Sequence, residues 1–228
     1  MIEDNVIFSL VQKWKFSGRP NQEAFEWSKS RNNWIKNIEE ESEYISNLPH
    51  RFGREYLRLI NSDAAISPVQ KFLTTMIWGY GDLGYGSYRV KKMFNTPQFK
   101  SIIENSFEIA MAGEPLLTYQ YLARNRISQL GPAFGTKWIC FASNEGNPGP
   151  IYDSFIALWV SQNAKEFFGN TSLSAENWNL ETYRKYLEFM SWYSEKAQIK
   201  MYELEYIIFE DALKKFSKKS KWLSDPKS

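Results

Sequence analysis

Residues Ile127 to Phe141 read Ile-Ser-Gln-Leu-Gly-Pro-Ala-Phe-Gly-Thr-Lys-Trp-Ile-Cys-Phe. Ile127 and Leu130 close one helical pattern, Gly131-Pro132 interrupts it, and after Gly135 the run Thr136 to Ala142 resumes as a helix. The spacing predicts two helices joined by a tight glycine hairpin, with Lys137 in the first turn of the second helix. Backbone N–H groups around such a bend, together with the positive end of a helix, form a seat for one phosphate. A plain turn between two packed helices explains the same stretch equally well.

Working outward, apolar residues recur at helical rather than alternating spacing. Gln22 to Ile45 carries Phe25, Trp34, Ile38 and Ile45 among charged residues, and His50 to Ile60 repeats the pattern with Phe52, Tyr56, Leu57 and Ile60. Both are predicted helices. A third opens at Pro68 and runs through Phe72, Met76 and Ile77 until the glycines begin at Gly79. Others start at Thr96-Pro97, with Phe99, Ile102, Ile103 and Phe107 on one face, and at Pro115, with Leu116, Tyr119 and Leu122. Ile151 to Phe168 is apolar enough for a buried helix, and Glu181 to Phe216 reads as one or two long amphipathic helices. Trp138 and Trp159, each among apolar neighbours, are expected in the core. With no strand pairs or repeats evident, the prediction is an all-α protein. We expect a single domain over residues 1–228, with an N-terminal helical segment (1–65), a core (68–216) containing the hairpin (127–141), and a basic flexible tail (217–228).

Composition narrows the function classes. The chain has 228 residues, 43% hydrophobic and 24% charged, which suits a globular core and argues against disorder. No 18-residue apolar run exists to span a membrane. An acidic start, Met1-Ile2-Glu3-Asp4-Asn5, is unlike a secretory signal, so a cytoplasmic location is expected. One cysteine, Cys140, and one histidine, His50, argue against an internal disulfide, most metal sites, and Ser-His-Asp or Cys-His nucleophile systems; no metal or cofactor is expected. His50 lies in Asn47-Leu48-Pro49-His50-Arg51, which reads as a helix-entry turn.

Net charge is only +2, but it is unevenly spread. From Leu83 to Asn144 seven basic residues (Arg89, Lys91, Lys92, Lys100, Arg124, Arg126, Lys137) face three acidic ones, whereas Glu176 to Asp211 carries eight acids against four bases. The middle of the chain therefore suits a polyanion. Next to those bases, Trp78 to Arg89 reads Trp-Gly-Tyr-Gly-Asp-Leu-Gly-Tyr-Gly-Ser-Tyr-Arg: flexible backbone, flat rings and positive charge, fit for a displaced base and its phosphates or for a surface loop covering the core. Sixteen residues past Lys137, Asp153 stands at the entrance of an apolar helix, Pro150-Ile-Tyr-Asp-Ser-Phe-Ile-Ala-Leu-Trp159. Asp153 is a candidate helix cap. Paired with Lys137 it also offers an anion beside an amine nucleophile.

The Pro132, Gly135, Thr136 and Lys137 hairpin followed by Asp153 resembles the helix-hairpin-helix DNA glycosylases, especially oxoguanine glycosylase and its short prokaryotic relatives. Trp78-Gly79-Tyr80-Gly81 and the segment Met201 to Phe209 resemble a loop and the closing helix of the same short proteins, so the likeness spans about Pro68 to Phe209. Ala133, where the family usually has the first hairpin glycine, and Ser154-Phe155, after the acid, depart from its pattern.

The resemblance implies two helical lobes with a cleft between them; because the N-terminal 65 or so residues read as helix rather than strand, the β-rich domain that precedes the catalytic region in larger oxoguanine glycosylases is not expected. It implies that Lys137 attacks the anomeric carbon of the sugar while Asp153 supports the oxocarbenium-like transition state, with strand cleavage at the abasic site as a sequel. The expected partner is double-stranded DNA containing a modified base, bound by a monomer. Gly131, Pro132, Gly135, Thr136, Arg89, Lys91, Lys92, Arg124 and Arg126 are the candidate DNA-binding residues, and Trp78, Tyr80, Tyr85, Tyr88 and Tyr152 the candidate base pocket or wedge. The base expected from the family is oxidised guanine, or, since short prokaryotic members are linked to anti-phage defence, a hypermodified phage cytosine such as glucosylated hydroxymethylcytosine. Two alternatives are a non-catalytic helix-hairpin-helix DNA-binding protein and a helical interaction protein with no DNA role.

Overall fold

The computed structural model describes residues 4–20, 22, 24–144 and 148–216, and the basic tail expected at 217–228 lies outside them. Contacts divide the chain into two compact units: Gln22–Gly149, here the hairpin unit, and Met1–Asn21 with Pro150–Ser228, here the terminal unit. Both are helical, as expected.

The hairpin unit is organised by helix α5 (Pro68–Tyr80), ten of whose thirteen residues are buried. Its start is a capping box: Ser67 Oγ accepts from the Gln70 N–H, and Gln70 Oε1 accepts from the Ser67 N–H, both at 3.2 Å, with Pro68 in the first turn. Gly79 does not stop the helix. It ends two residues later at Gly81, whose φ of +55° suits a residue without a side chain. Around it pack α4 (Arg54–Ser62), α6 (Gly86–Phe94), α7 (Phe99–Met111) and α9 (Pro132–Ala142), with α8 (Pro115–Arg124) against α7 and α9. Phe72 of α5 meets Trp138 of α9 edge-on at 5.4 Å, and the Trp138 indole donates to Ser106 Oγ of α7 at 2.9 Å. Satisfying that N–H lets the ring stay fully buried, at a gain of about 2–3 kcal/mol for its apolar area.

Before α4 the structure corrects the sequence reading. Neither Gln22–Ile45 nor His50–Ile60 is one helix. Strands β1 (Phe25–Glu26) and β2 (Arg51–Phe52) pair antiparallel, with Phe25 opposite Phe52 and their rings 6.1 Å apart. Between them lie α2 (Ser28–Asn37), a single 3₁₀ turn (Glu39–Glu41) and α3 (Ser42–Asn47). His50 is exposed at the approach to β2 and meets the Arg31 guanidinium at 3.2 Å. An aromatic cross-strand pair and a β-like continuation, Trp27 N–H to His50 C=O at 3.2 Å, override the local helical pattern. This ladder is the only β pairing among the described residues.

The terminal unit consists of α1 (Asp4–Phe16), α10 (Ser154–Asn163), α11 (Lys165–Phe168), α12 (Leu180–Ala197) and α13 (Met201–Phe216). α13 packs against α1, α10 and α12. Trp159 of α10 is fully buried and donates to Asp211 Oδ2 of α13 at 2.7 Å. The predicted helix Ile151–Phe168 begins only at Ser154, because Asp153 caps α10, and it breaks at Ala164.

Candidate active-site residues

The hairpin differs in detail from the sequence reading. α8 ends at Arg124, Leu130 N–H bonds Ile127 C=O at 3.1 Å, and Gln129 adopts a left-handed φ of +66°. Gly131 is the extended N-cap of α9 and Pro132 its first residue, since proline's fixed φ suits a helix start and its missing N–H costs nothing there. Consequently Gly135 is inside the helix and buried, and its N–H is spent on Gly131 C=O at 2.9 Å. Gly135 therefore supplies no phosphate-binding amide. The amides left without an intrahelical acceptor in the first turn are those of Ala133 and Phe134. Thr136 is likewise buried, its hydroxyl donating to Ala133 C=O at 3.2 Å, and Lys137 falls in the second turn rather than the first.

Lys137 is half-buried, with Nζ 5.4 Å from the centroid of the Phe134 ring one turn earlier. Phe134 in turn stacks on Tyr80 of α5, centroids 4.1 Å apart and planes 21° apart. Gly79 makes room for both. A Cβ there would lie 2.8 Å from Phe134 Cε1 and 3.3 Å from Lys137 Cδ, so the missing side chain lets α9 present its ring and amine against α5. The sequence reading does not single out Phe134, and it takes Gly79 for a helix stop and a loop residue rather than a packing site. Their signals were present: a ring three residues before the lysine on one helical face, and a lone glycine within the bulky α5 pattern.

Tyr80 is buried and Tyr85 lies edge-on to it at 5.9 Å. Burial raises the Tyr80 pKa, and the nearby Arg89 guanidinium opposes that shift. Arg89 also covers the Tyr85 ring at 5.0 Å, and Lys92 Nζ stands 4.6 Å over Tyr88. The predicted Trp78–Arg89 loop shrinks to residues 81–85, because Trp78–Tyr80 belong to α5 and Gly86 opens α6. In this loop Leu83 and Tyr85 are 48% and 38% exposed, and Tyr88, in the first turn of α6, is 55% exposed. Lys91, Lys92, Arg124 and Arg126 are also exposed. Trp78 and Tyr152 instead belong to the core. Trp78 packs edge-on against Phe141 at 5.0 Å, and Tyr152 donates its hydroxyl to Leu173 C=O at 3.0 Å. With Tyr80 they are too enclosed to serve as wedges, which leaves Leu83, Tyr85 and Tyr88 as the exposed apolar groups of this region.

Another lysine of the hairpin unit, Lys71, is committed elsewhere. Burial lowers its pKa, and its Nζ donates to Asn61 C=O at 2.9 Å while sitting 4.7 Å over Phe107.

Asp153 lies in the terminal unit as the N-cap of α10, where Oδ1 accepts from the N–H groups of Phe155 at 3.1 Å and Ile156 at 3.2 Å. The cap reading is thus correct, and it fixes the carboxylate at the positive end of a helix. Among the described residues no group of three His, Cys, Asp or Glu side chains could hold a metal, Cys140 is buried, and no helix is long and apolar enough to cross a membrane.

Residues 18–209 match the family model described as "Putative 8-oxoguanine DNA glycosylase OGG-like protein". The chain belongs to this family. The match begins about 50 residues before Pro68, so the β1–β2 ladder and α2–α4 are part of the OGG-like unit, and it contains both Lys137 and Asp153. No curated protein and no solved structure matches the chain.

Proposed function

We propose that the protein is a DNA glycosylase that extrudes one modified nucleotide from duplex DNA and cleaves its glycosidic bond, with Lys137 as nucleophile and Asp153 as the stabilising anion. The OGG-like family match across residues 18–209 carries this reading. In the proposed reaction the neutral Lys137 amine attacks C1′ as the C1′–N bond breaks. The base departs with the bonding electrons and takes up a proton; the attached amine loses a proton, and its lone pair then opens the sugar ring, the C1′–O4′ electron pair and a proton going to O4′, to leave a protonated imine at C1′. Asp153, its Oδ1 held by two N–H donors, offsets the positive charge that develops on the sugar. Hydrolysis of the imine completes excision, and β-elimination from it gives abasic-site lyase activity.

Extrusion costs about a few kcal/mol, to be offset by contacts with flanking phosphates and neighbouring bases. Arg89, Lys91, Lys92, Arg124 and Arg126 supply charge, the first-turn amides of α9 a phosphate seat, and Leu83, Tyr85 and Tyr88 rings and apolar surface. The proposed substrate is 8-oxoguanine or a hypermodified phage cytosine such as glucosylated hydroxymethylcytosine.

The deciding experiment offers 8-oxoguanine duplex, uracil duplex and glucosylated phage DNA side by side, with mass spectrometry of the freed base and borohydride trapping of the imine. A released base together with an adduct lost in Lys137→Gln supports the proposal. Salt-sensitive binding with no released base and no adduct on any of the three would favour the non-catalytic DNA-binding reading, to which Ala133 and Ser154-Phe155 point.

A further inference from the structure

Asp153 follows a stretch without regular structure, residues 148–152, so its position depends on what holds that backbone. Hydroxyls from α12 do so. Tyr183 donates to Pro150 C=O at 3.2 Å and Tyr186 to Ile151 C=O at 2.9 Å, from neighbouring positions on one helical face. Both tyrosines are fully buried. Tyr152, next in the chain, packs its ring 4.7 Å from that of Tyr186 and sends its own hydroxyl to Leu173 C=O at 3.0 Å. Each of the three residues leading into Asp153 is therefore fixed through a tyrosine hydroxyl.

This arrangement is more than packing. Phenylalanine would fill the same space, so the hydroxyls at 183 and 186 are needed only for what they donate to, and a buried carbonyl without a donor is costly. Burial pushes the Tyr186 pKa well above its usual value, with the nearby carboxylates of Glu205 and Asp153 adding to the shift.

We infer that Tyr183 and Tyr186 are positioning residues for Asp153, holding the 150–151 backbone so that the carboxylate stays where charge develops on the sugar. The inference rests on the proposed glycosylase reading. Loss of either hydroxyl frees a carbonyl and lets the segment drift, and misplacement by about 1 Å can cost on the order of 10²-fold in rate.

The test is single-turnover excision on whichever duplex, 8-oxoguanine or glucosylated, releases its base. Tyr186→Phe and Tyr183→Phe are compared with Asp153→Asn and Lys137→Gln at a temperature where circular dichroism finds each folded. The tyrosine variants should lose about 10- to 100-fold in rate with unchanged DNA affinity, and Tyr186→Phe should add almost nothing when combined with Asp153→Asn. Amide exchange at Phe155 and Ile156 should quicken in Tyr186→Phe, a readout independent of activity. Wild-type rates in both tyrosine variants beside a slow Asp153→Asn overturn the inference and leave the glycosylase reading standing. So does an equal loss when Tyr186→Phe is added to Asp153→Asn, which would mark a purely structural role. Wild-type rates in Lys137→Gln and Asp153→Asn overturn the reading itself. Should Tyr186→Phe fail to fold, Tyr183→Phe, which removes the longer bond, decides.

Discussion

Lys137 stands inside α9, five residues past the helix start, on a long side chain whose ammonium rests 5.4 Å from the Phe134 ring centroid. Asp153 stands at the edge of α10 on a short side chain, its Oδ1 held by two N–H groups and its preceding backbone by tyrosine hydroxyls. A cation over a ring gains about 0.5–1 kcal/mol at a wet site with little directional demand, whereas each hydrogen bond to a charged group contributes about 1.5–3 kcal/mol and demands geometry. The difference matches the two proposed tasks. An attacking amine must travel to a carbon and leave it again, while a stabilising anion works best already in place.

Six substitutions break or sharpen that contrast, beginning with the strongest. Lys137→Gln should lower excision by at least about 10³-fold and abolish the borohydride adduct, with the thermal midpoint little changed because the residue lies half-exposed on a stable helix. Asp153→Asn should lower excision by about 10²- to 10³-fold and leave stability nearly intact, since Asn caps a helix as well as Asp. Asp153→Ala should cost about 1 kcal/mol more in urea unfolding, through the lost cap. Full excision by Asp153→Asn would reduce Asp153 to a cap and end the comparison.

Gly79→Ala tests the packing under the nucleophile. Its new Cβ meets Phe134 Cε1 at 2.8 Å, so the ring and Lys137 must shift. A loss of about 1–3 kcal/mol in stability is expected, with excision falling about tenfold. Wild-type activity would mean that Lys137 tolerates displacement even more freely than the cation–ring contact suggests. The smallest effects belong to Arg89→Ala and Lys92→Ala, each of which should reduce the slope of log affinity against log salt by about 1 while leaving the single-turnover rate unchanged. Titrations at several salt concentrations measure the slope, and an unaltered slope removes that residue from the phosphate contacts.

Much of this was legible in advance. Pro68 announced α5, Pro115 announced α8, and the Pro132 to Lys137 run announced the hairpin, because prolines, glycines and 3.6-residue periodicity act within a few residues of chain. The β1–β2 ladder was not legible. Phe25 and Phe52 fit a helical pattern locally, and only their meeting across a long stretch of sequence makes them strand residues. At the site, Lys137 and Asp153 were readable as residue types at a spacing. The stack of Phe134 on Tyr80 depends on α5 and α9 coming together, and the clamp on 150–151 depends on α12 folding back over that segment.

The amino-acid sequence alone thus determined the helical class, the hairpin, the positive middle of the chain and the two groups able to do the proposed chemistry. Tertiary packing decided which of its rings are walls and which are exposed, and how each reactive group is held. Those outcomes rest on side chains far apart in sequence sharing one dense interior. There, a missing Cβ at Gly79 or a hydroxyl on Tyr186 gains its meaning from a neighbour that linear spacing does not reveal.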